Sequence, residues 1–134
     1  MALMTFREPN QVQWRGVRPA HDGTQVTKNK ERLGAGNVTI HTVSVDCIFF
    51  LTFCSFGSRE SVAAEAFADV RTQPIGALAE IPIISHMYDV AGHQSSVATF
   101  NPPLEIDESI TIRMNVTHAN VDAKATIHGW EELK

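Results

Sequence analysis

Two cysteines are all that this 134-residue chain holds to build a disulfide framework, and beside seven phenylalanines it has only one tyrosine and two tryptophans, the aromatics that carry a polar handle. Cys47 and Cys54 lie seven apart in one apolar run. In an unbroken strand they face opposite sides, more than about 20 Å apart by the usual rise per residue. They cannot bridge without a turn between them. Two reduced, buried thiols are therefore expected, in keeping with assembly in a reducing compartment. Long hydrophobic runs are missing too. The most apolar stretch, Cys47 to Phe56, is too short to span a bilayer as a helix. The opening MALMTFREPNQ lacks the basic-then-apolar order of a secretory signal. No membrane partner is expected, and the Asn-x-Thr triplets at Asn37 and Asn115 then carry no meaning. Basic residues are scarce: eleven Lys and Arg stand against fifteen Asp and Glu, a net charge of −4. That is too few on the body for a nucleic-acid face.

What the chain does have is period-two alternation. Its last third sets Ile110, Ile112, Met114 and Val116 between Thr111, Arg113, Asn115 and Thr117. It then sets Val121, Ala123, Ala125 and Ile127 between Asp122, Lys124, Thr126 and His128. Each run is a strand with one dry and one wet face, and the pair reads as an antiparallel hairpin closing a β-domain. Upstream, Val38, Ile40, Val43 and Val45 alternate with a slip near Thr42, which predicts a bulge. Cys47 to Phe56 is apolar on both faces, as in a central strand or one covered by a neighbouring subunit, and 57–60 reads as a turn. Ser61 to Arg71 carries helix-favouring alanines, yet Val62, Ala64, Ala66, Ala68 and Val70 share one alternating face, and a strand is the preferred reading. Ala77 to Tyr88 is a strand whose Pro82 puts it at an edge or bulge. Gln94 to Phe100 is a short strand, Asn101-Pro102-Pro103 an extended corner, and 104–108 a loop. The sum is a single antiparallel β-sandwich, jelly-roll-like, of about seven or eight strands, an all-β fold over 37–134.

Residues 1–36 read differently. They lack a sustained hydrophobic period and are punctuated by Pro9, Gly16, Pro19, Gly23, Gly34 and Gly36, so an extended N-terminal arm is expected. Six Lys and Arg against three acids give this stretch +3, while the remainder carries −7, five basic against twelve acidic residues. A basic arm can fold back on its acidic body or reach a neighbour. Phe6, Trp14, Arg15, Arg18, Lys28, Lys30 and Arg32 are the candidate contact residues, with Trp14 an anchor for a pocket on its own body or on a partner.

Reactive constellations are thin. His41, His86, His93, His118 and His128 are scattered without the tight spacing of a zinc site. Only His118 and His128, on the two closing strands, would be neighbours in a hairpin. Ser85 and His86 are adjacent and so face opposite ways, and no Gly-x-Ser-x-Gly elbow is present. Glu105, Asp107 and Glu108 form at most a weak calcium-type cluster on a solvated loop. The expectation is no enzyme, no cofactor and no metal.

The order of features from Gly36 onward resembles small β-sandwich structural proteins of tailed bacteriophages. NVTIHTVSV opens, CIFFLTFCSF follows, and the Pro-Pro-Leu corner of NPPLEIDESITI leads to a closing ATIHGWEE. The resemblance implies a non-enzymatic virion component of decoration, head or tail type, assembled in the host cytoplasm. Its partners would be neighbouring virion proteins, a major capsid protein or tail components, and further copies of itself. A capsid decoration or cement subunit acting through the arm is the leading expectation. The alternative is a carbohydrate- or receptor-binding module of a tail fibre, in which Tyr88 and Trp130 would stack on the ligand. A cupin-like enzyme, a third class, would need metal ligands clustered inside a barrel.

Overall fold

The two alternating runs near the C-terminus bury the faces that their pattern assigns. Ile112, Met114 and Val116 are sealed in on the first, and Val121, Ala123, Ala125 and Ile127 on the second. They do not pair with each other. The computed structural model describes residues 23–62, 65–73 and 80–134, and every regular element among them is a strand. These are β1 (Thr24–Leu33), β2 (Gly36–Thr42), β3 (Cys47–Glu60), β4 (Ala66–Gln73), β5 (Ile81–Tyr88), β6 (Gly92–Ile106), β7 (Thr111–Val116) and β8 (Val121–Leu133). They form two four-stranded sheets in the orders β1-β8-β3-β6 and β2-β7-β4-β5. All pairings are antiparallel. This double-sheet order is that of an eight-stranded jelly roll.

The expected hairpin is thus corrected. β7 lies in one sheet and β8 in the other, and the chain crosses the sandwich between them. Period two assigns each strand a face and says nothing about its partner. Two dry faces are satisfied equally by lying side by side or by meeting across a core, and here they meet.

The core draws on both sheets. Phe49, Leu51, Cys54 and Phe56 from β3 join Ile112 and Met114 from β7 and Val121 and Ile127 from β8 in one cluster. Alanines 66, 68, 123 and 125 sit in the same cluster, small residues among large ones so that the layers interlock. Each large apolar side chain buried here contributes on the order of 1.5–3 kcal/mol.

Among the described residues, three bulges set the phases. The slip expected near Thr42 occurs as a register shift between Thr39 and His41, opposite Arg113 and Ile112. A second lies between Leu51 and Phe53. It moves the buried positions of β3 from Phe49 and Leu51 to Cys54 and Phe56. Cys47 therefore packs against the same core cluster as Cys54, not on the opposite face as an unbroken strand would have it. Both are free thiols. The third lies between Val70 and Arg71, opposite Pro82 on edge strand β5, where a missing backbone donor is tolerated.

Several boundaries differ from the sequence expectation. Residues 57–60 continue β3 rather than turning, paired to β6 and β8. β6 runs through the Pro102–Pro103 corner to Ile106, which pairs with Phe49, so the expected 104–108 loop is largely strand. Most consequentially, among the described residues the sandwich already includes Thr24–Leu33. Thr24–Leu33 pairs with β8 along its whole length, so this part of the expected arm is an edge strand. Its sequence hides the fact because only Val26 among its side chains is buried. The ladder to β8, not an apolar period, makes it a strand. Residues 1–22, with Phe6, Trp14, Arg15 and Arg18, lie outside the described residues.

Candidate interaction surfaces

The basic residues of β1 take two roles. Lys28 and Lys30 pair in register with Ile127 and Ala125 of β8. Paired residues in an antiparallel ladder share a face, so these lysines lie on the core side of the sheet at its open flank, where both are exposed. Arg32 turns back on its own corner: Nε donates to the Gly34 carbonyl at 3.2 Å and Nη2 to the Ala35 carbonyl. A Cβ at Gly36, whose φ is +132°, would run into the Arg32 guanidinium. Arg32 therefore braces the β1–β2 crossing, and the cationic edge is Lys28 and Lys30.

On the other face of that sheet, the Trp130 ring stacks on Phe50 at 5.2 Å between centroids, and its Nε1 donates to Glu132 at 2.6 Å. It is half-buried by this stacking. Toward the other end of β3 and β8 lies a shallow groove of about 580 Å³ whose lining includes Gly57, Arg59, His93, Asp122 and Lys124. Arg59 donates to Asp122 across it at 3.1 Å. Nothing stands within 4 Å of a Cβ placed at Gly57, which leaves the groove open there. A second groove, of about 610 Å³, lies at the β4–β5 end, with Phe67 and Met87 on its wall and Glu65 and Asp89 among its lining.

Tyr88 is only 6% exposed. Its hydroxyl sits 2.6 Å from Ser58 Oγ, which is also 2.6 Å from His86 Nδ1, and His86 Nε2 is 2.9 Å from Ser96 Oγ. Its ring is therefore committed to the interior and is not a surface for ligand stacking. The strands bring Ser58, His86, Tyr88 and Ser96 into one buried polar knot joining β3, β5 and β6. No sequence spacing announces it, since these residues are spread over some forty positions. Burial pushes His86 below the ordinary imidazole range. Glu60, on the same face of β3, is 2% exposed. Its Oε1 accepts from the Val62 amide at 3.3 Å, and its Oε2 has no partner among the described residues.

Among the described residues, the other histidines are dispersed. His41 reaches across the sandwich to Glu131 of β8 at 2.6 Å. His128 stands 2.7 Å from Thr27 Oγ1 on the outer face, and His118 accepts from the Asn120 amide at 3.1 Å in the β7–β8 crossing. With β7 and β8 in separate sheets, the His118–His128 pair that a hairpin would have made does not form. The acidic trio is split: Glu105 lies in β6 opposite Phe50, and the other two meet Lys134. Glu108 receives Lys134 Nζ at 2.6 Å, and Asp107 lies 3.9 Å from the same ammonium. That contact holds the Glu108 carboxyl below its ordinary range. Among the described residues, no group of three or more His, Cys, Asp or Glu is arranged to hold a metal ion. A further network escaped sequence reasoning: on the outer face of the β2-β7-β4-β5 sheet, Asp69 takes a forked contact from Arg71, which also reaches Glu80.

No protein-family model matches the sequence, and no curated protein does. Among solved structures, the chain is similar to one in the cyanophage Pam1 capsid asymmetric unit. The match has 12% identity and a TM-score of 0.41, and covers 90% of this chain and 96% of that one. At that TM-score the likeness decides neither fold nor function; the fold rests on the strand order.

Proposed function

We propose that the chain is a non-enzymatic structural subunit of a phage virion, and within that class a capsid decoration subunit that binds neighbouring shell proteins. The observation that carries the reading is the segregation of charge. Residues 1–36 hold +3 and the rest −7, and the basic stretch ends in the exposed Lys28 and Lys30 on the flank of a jelly roll. A cationic edge strand on an otherwise acidic sandwich suits lateral attachment to a charged neighbour. The jelly roll is shared by capsid subunits, lectins and cupins, and fold alone does not choose among them. The order of strand and corner motifs from Gly36 onward adds support for the virion class. The glycan-binding alternative draws less: Tyr88 faces inward and Trp130 is stacked on Phe50.

The test is association with particles. Purified protein should co-sediment with phage shells of the source, and the bound fraction should fall as salt rises. A chain lacking residues 1–22, and a Lys28→Glu/Lys30→Glu variant of the full chain, should both lose binding while melting like the parent. Omitting the subunit should leave shells that assemble but resist heat less well. A folded protein that never sediments with shells, or one whose binding ignores both changes, overturns the reading.

A further inference from the structure

A sandwich of two open sheets has four edge strands, and among the described residues these are β1 and β6 in one sheet and β2 and β5 in the other. Each edge exposes unpaired backbone donors and acceptors, and folded proteins block such edges with inward charges, bulges or proline. Three of the four carry such a block. On β1, Lys28, Lys30 and Arg32 share the core-side face with Ile127, Ala125 and Ala123. On β2 a bulge lies between Thr39 and His41. On β5, Pro82 stands opposite the bulge at Val70 and Arg71.

β6 is different. Its second half is broken by Pro102 and Pro103, but Gly92–Thr99 runs in unbroken register against Phe53–Glu60. These eight residues, GHQSSVAT, contain no proline and no Lys, Arg, Asp or Glu. Among the described residues nothing pairs with their other side. Val97 stands 63% exposed along this stretch. The segment spans about 27 Å of edge in regular register.

We propose that Gly92–Thr99 pairs antiparallel with the same segment of a second copy, joining two β1-β8-β3-β6 sheets into one sheet of eight strands about a twofold axis. Charge selects the occupant. An antiparallel twofold pairing sets the segment against itself, so any charge in it would stand near its own like. Residues 37–134 carry −7, yet this edge is free of formal charge and meets itself without repulsion. The proposal is independent of the virion reading: self-association in solution tests it, and particle binding does not.

The experiment is sedimentation velocity of the full chain from low to high micromolar concentration. The parent should shift from monomer to dimer. A Ser95→Lys/Val97→Lys variant should stay monomeric where the parent is dimeric and melt at the parent's temperature, because both positions lie on the exposed outer face. Mixing it with a Ser95→Glu/Val97→Glu variant should restore the dimer. A parent that stays monomeric, a dimer that survives the lysines, or a mixture that fails to re-form it overturns the proposal. If the lysine variant melts early, amide exchange in the parent decides: protection across 92–99 must rise with concentration, and unchanged protection sinks the idea.

Discussion

Ser58 Oγ stands 2.6 Å from His86 Nδ1, and this contact ties β3, central in one sheet, to β5, at the edge of the other. The same hydroxyl meets Tyr88, and the far ring nitrogen of His86 meets Ser96. Each polar group thus finds a partner out of water, which is the condition for placing such groups in a core. The Phe56 ring lies against the imidazole at 4.7 Å.

A pH dependence follows. Burial favours the neutral imidazole, so folding holds His86 below its ordinary pKa. The unfolded chain then binds more protons in that window, and stability rises with pH. The contribution is complete above the unfolded value of about 6.5 and is lost as pH falls through the lower folded value. Urea midpoints measured from pH 8 to pH 5, as approximate limits of the imidazole window, should fall toward acid. In a His86→Asn variant the curve should be flatter, though lower throughout. Parallel curves for parent and variant would remove His86 from the account.

Two glycines of the β1-β8-β3-β6 sheet should answer oppositely to alanine. A Cβ at Gly129 would collide with the Phe50 carbonyl and crowd the Phe49 ring at 2.9 Å. Backbone must move, and Gly129→Ala should cost about 1–3 kcal/mol or more in denaturant unfolding. Gly57 has open space where its Cβ would go. Gly57→Ala should be neutral or gain about 0.5–1 kcal/mol from the lost flexibility of glycine in a strand. Equal effects at the two positions would contradict the geometry.

How much of this was legible beforehand depends on what each feature asks of the sequence. The dry faces of β7 and β8 were readable at every position because alternation records burial directly. Their placement in opposite sheets was not, since partner choice lives in long-range contacts. β1 was missed for a related reason: its core-side positions Lys28, Lys30 and Arg32 carry charge, so its pattern imitates a solvated arm. The bulge in β2 left a trace, the three-residue step from Ile40 to Val43, while the bulge in β3 left none, because Leu51 to Phe56 is apolar on both sides of it. The polar knot at Ser58, His86, Tyr88 and Ser96 had no local signature at all.

The β3 bulge makes a prediction for the thiols. It turns Cys54 fully into the core, and burial pushes its pKa up to about 11. Little thiolate then exists near neutrality, and no reagent reaches what there is. With Ellman's reagent on the native protein, Cys54 should react only at the rate of unfolding, and both thiols should react promptly in denaturant. Cys54→Ala should cost about 1–2 kcal/mol, the loss of a small buried side chain. Prompt native labelling at Cys54 would mean that the phase shift in β3 is wrong.

The last prediction concerns Asp69, a carboxylate 3% exposed on the outer face of the β2-β7-β4-β5 sheet. Arg71 and Arg113 oppose each other in register there, and like charges set across a ladder are destabilising. Asp69 offsets this by receiving Arg71 at Oδ1, 2.8 Å away, and again at Oδ2. Glu80 holds the far side of the same guanidinium but is 29% exposed. The two acids should therefore differ in weight. Asp69→Asn leaves two cations facing with one outer counter-charge, and should cost about 2–4 kcal/mol, somewhat under the loss from a fully buried pair. Glu80→Gln should cost about 1 kcal/mol or less. Salt separates them further: at about 0.5 M NaCl the Glu80→Gln loss should shrink by screening, while the Asp69→Asn loss, set in a sealed site, should persist. If the exposed acid proves the costlier one to remove, Asp69 is not what holds Arg71 in place.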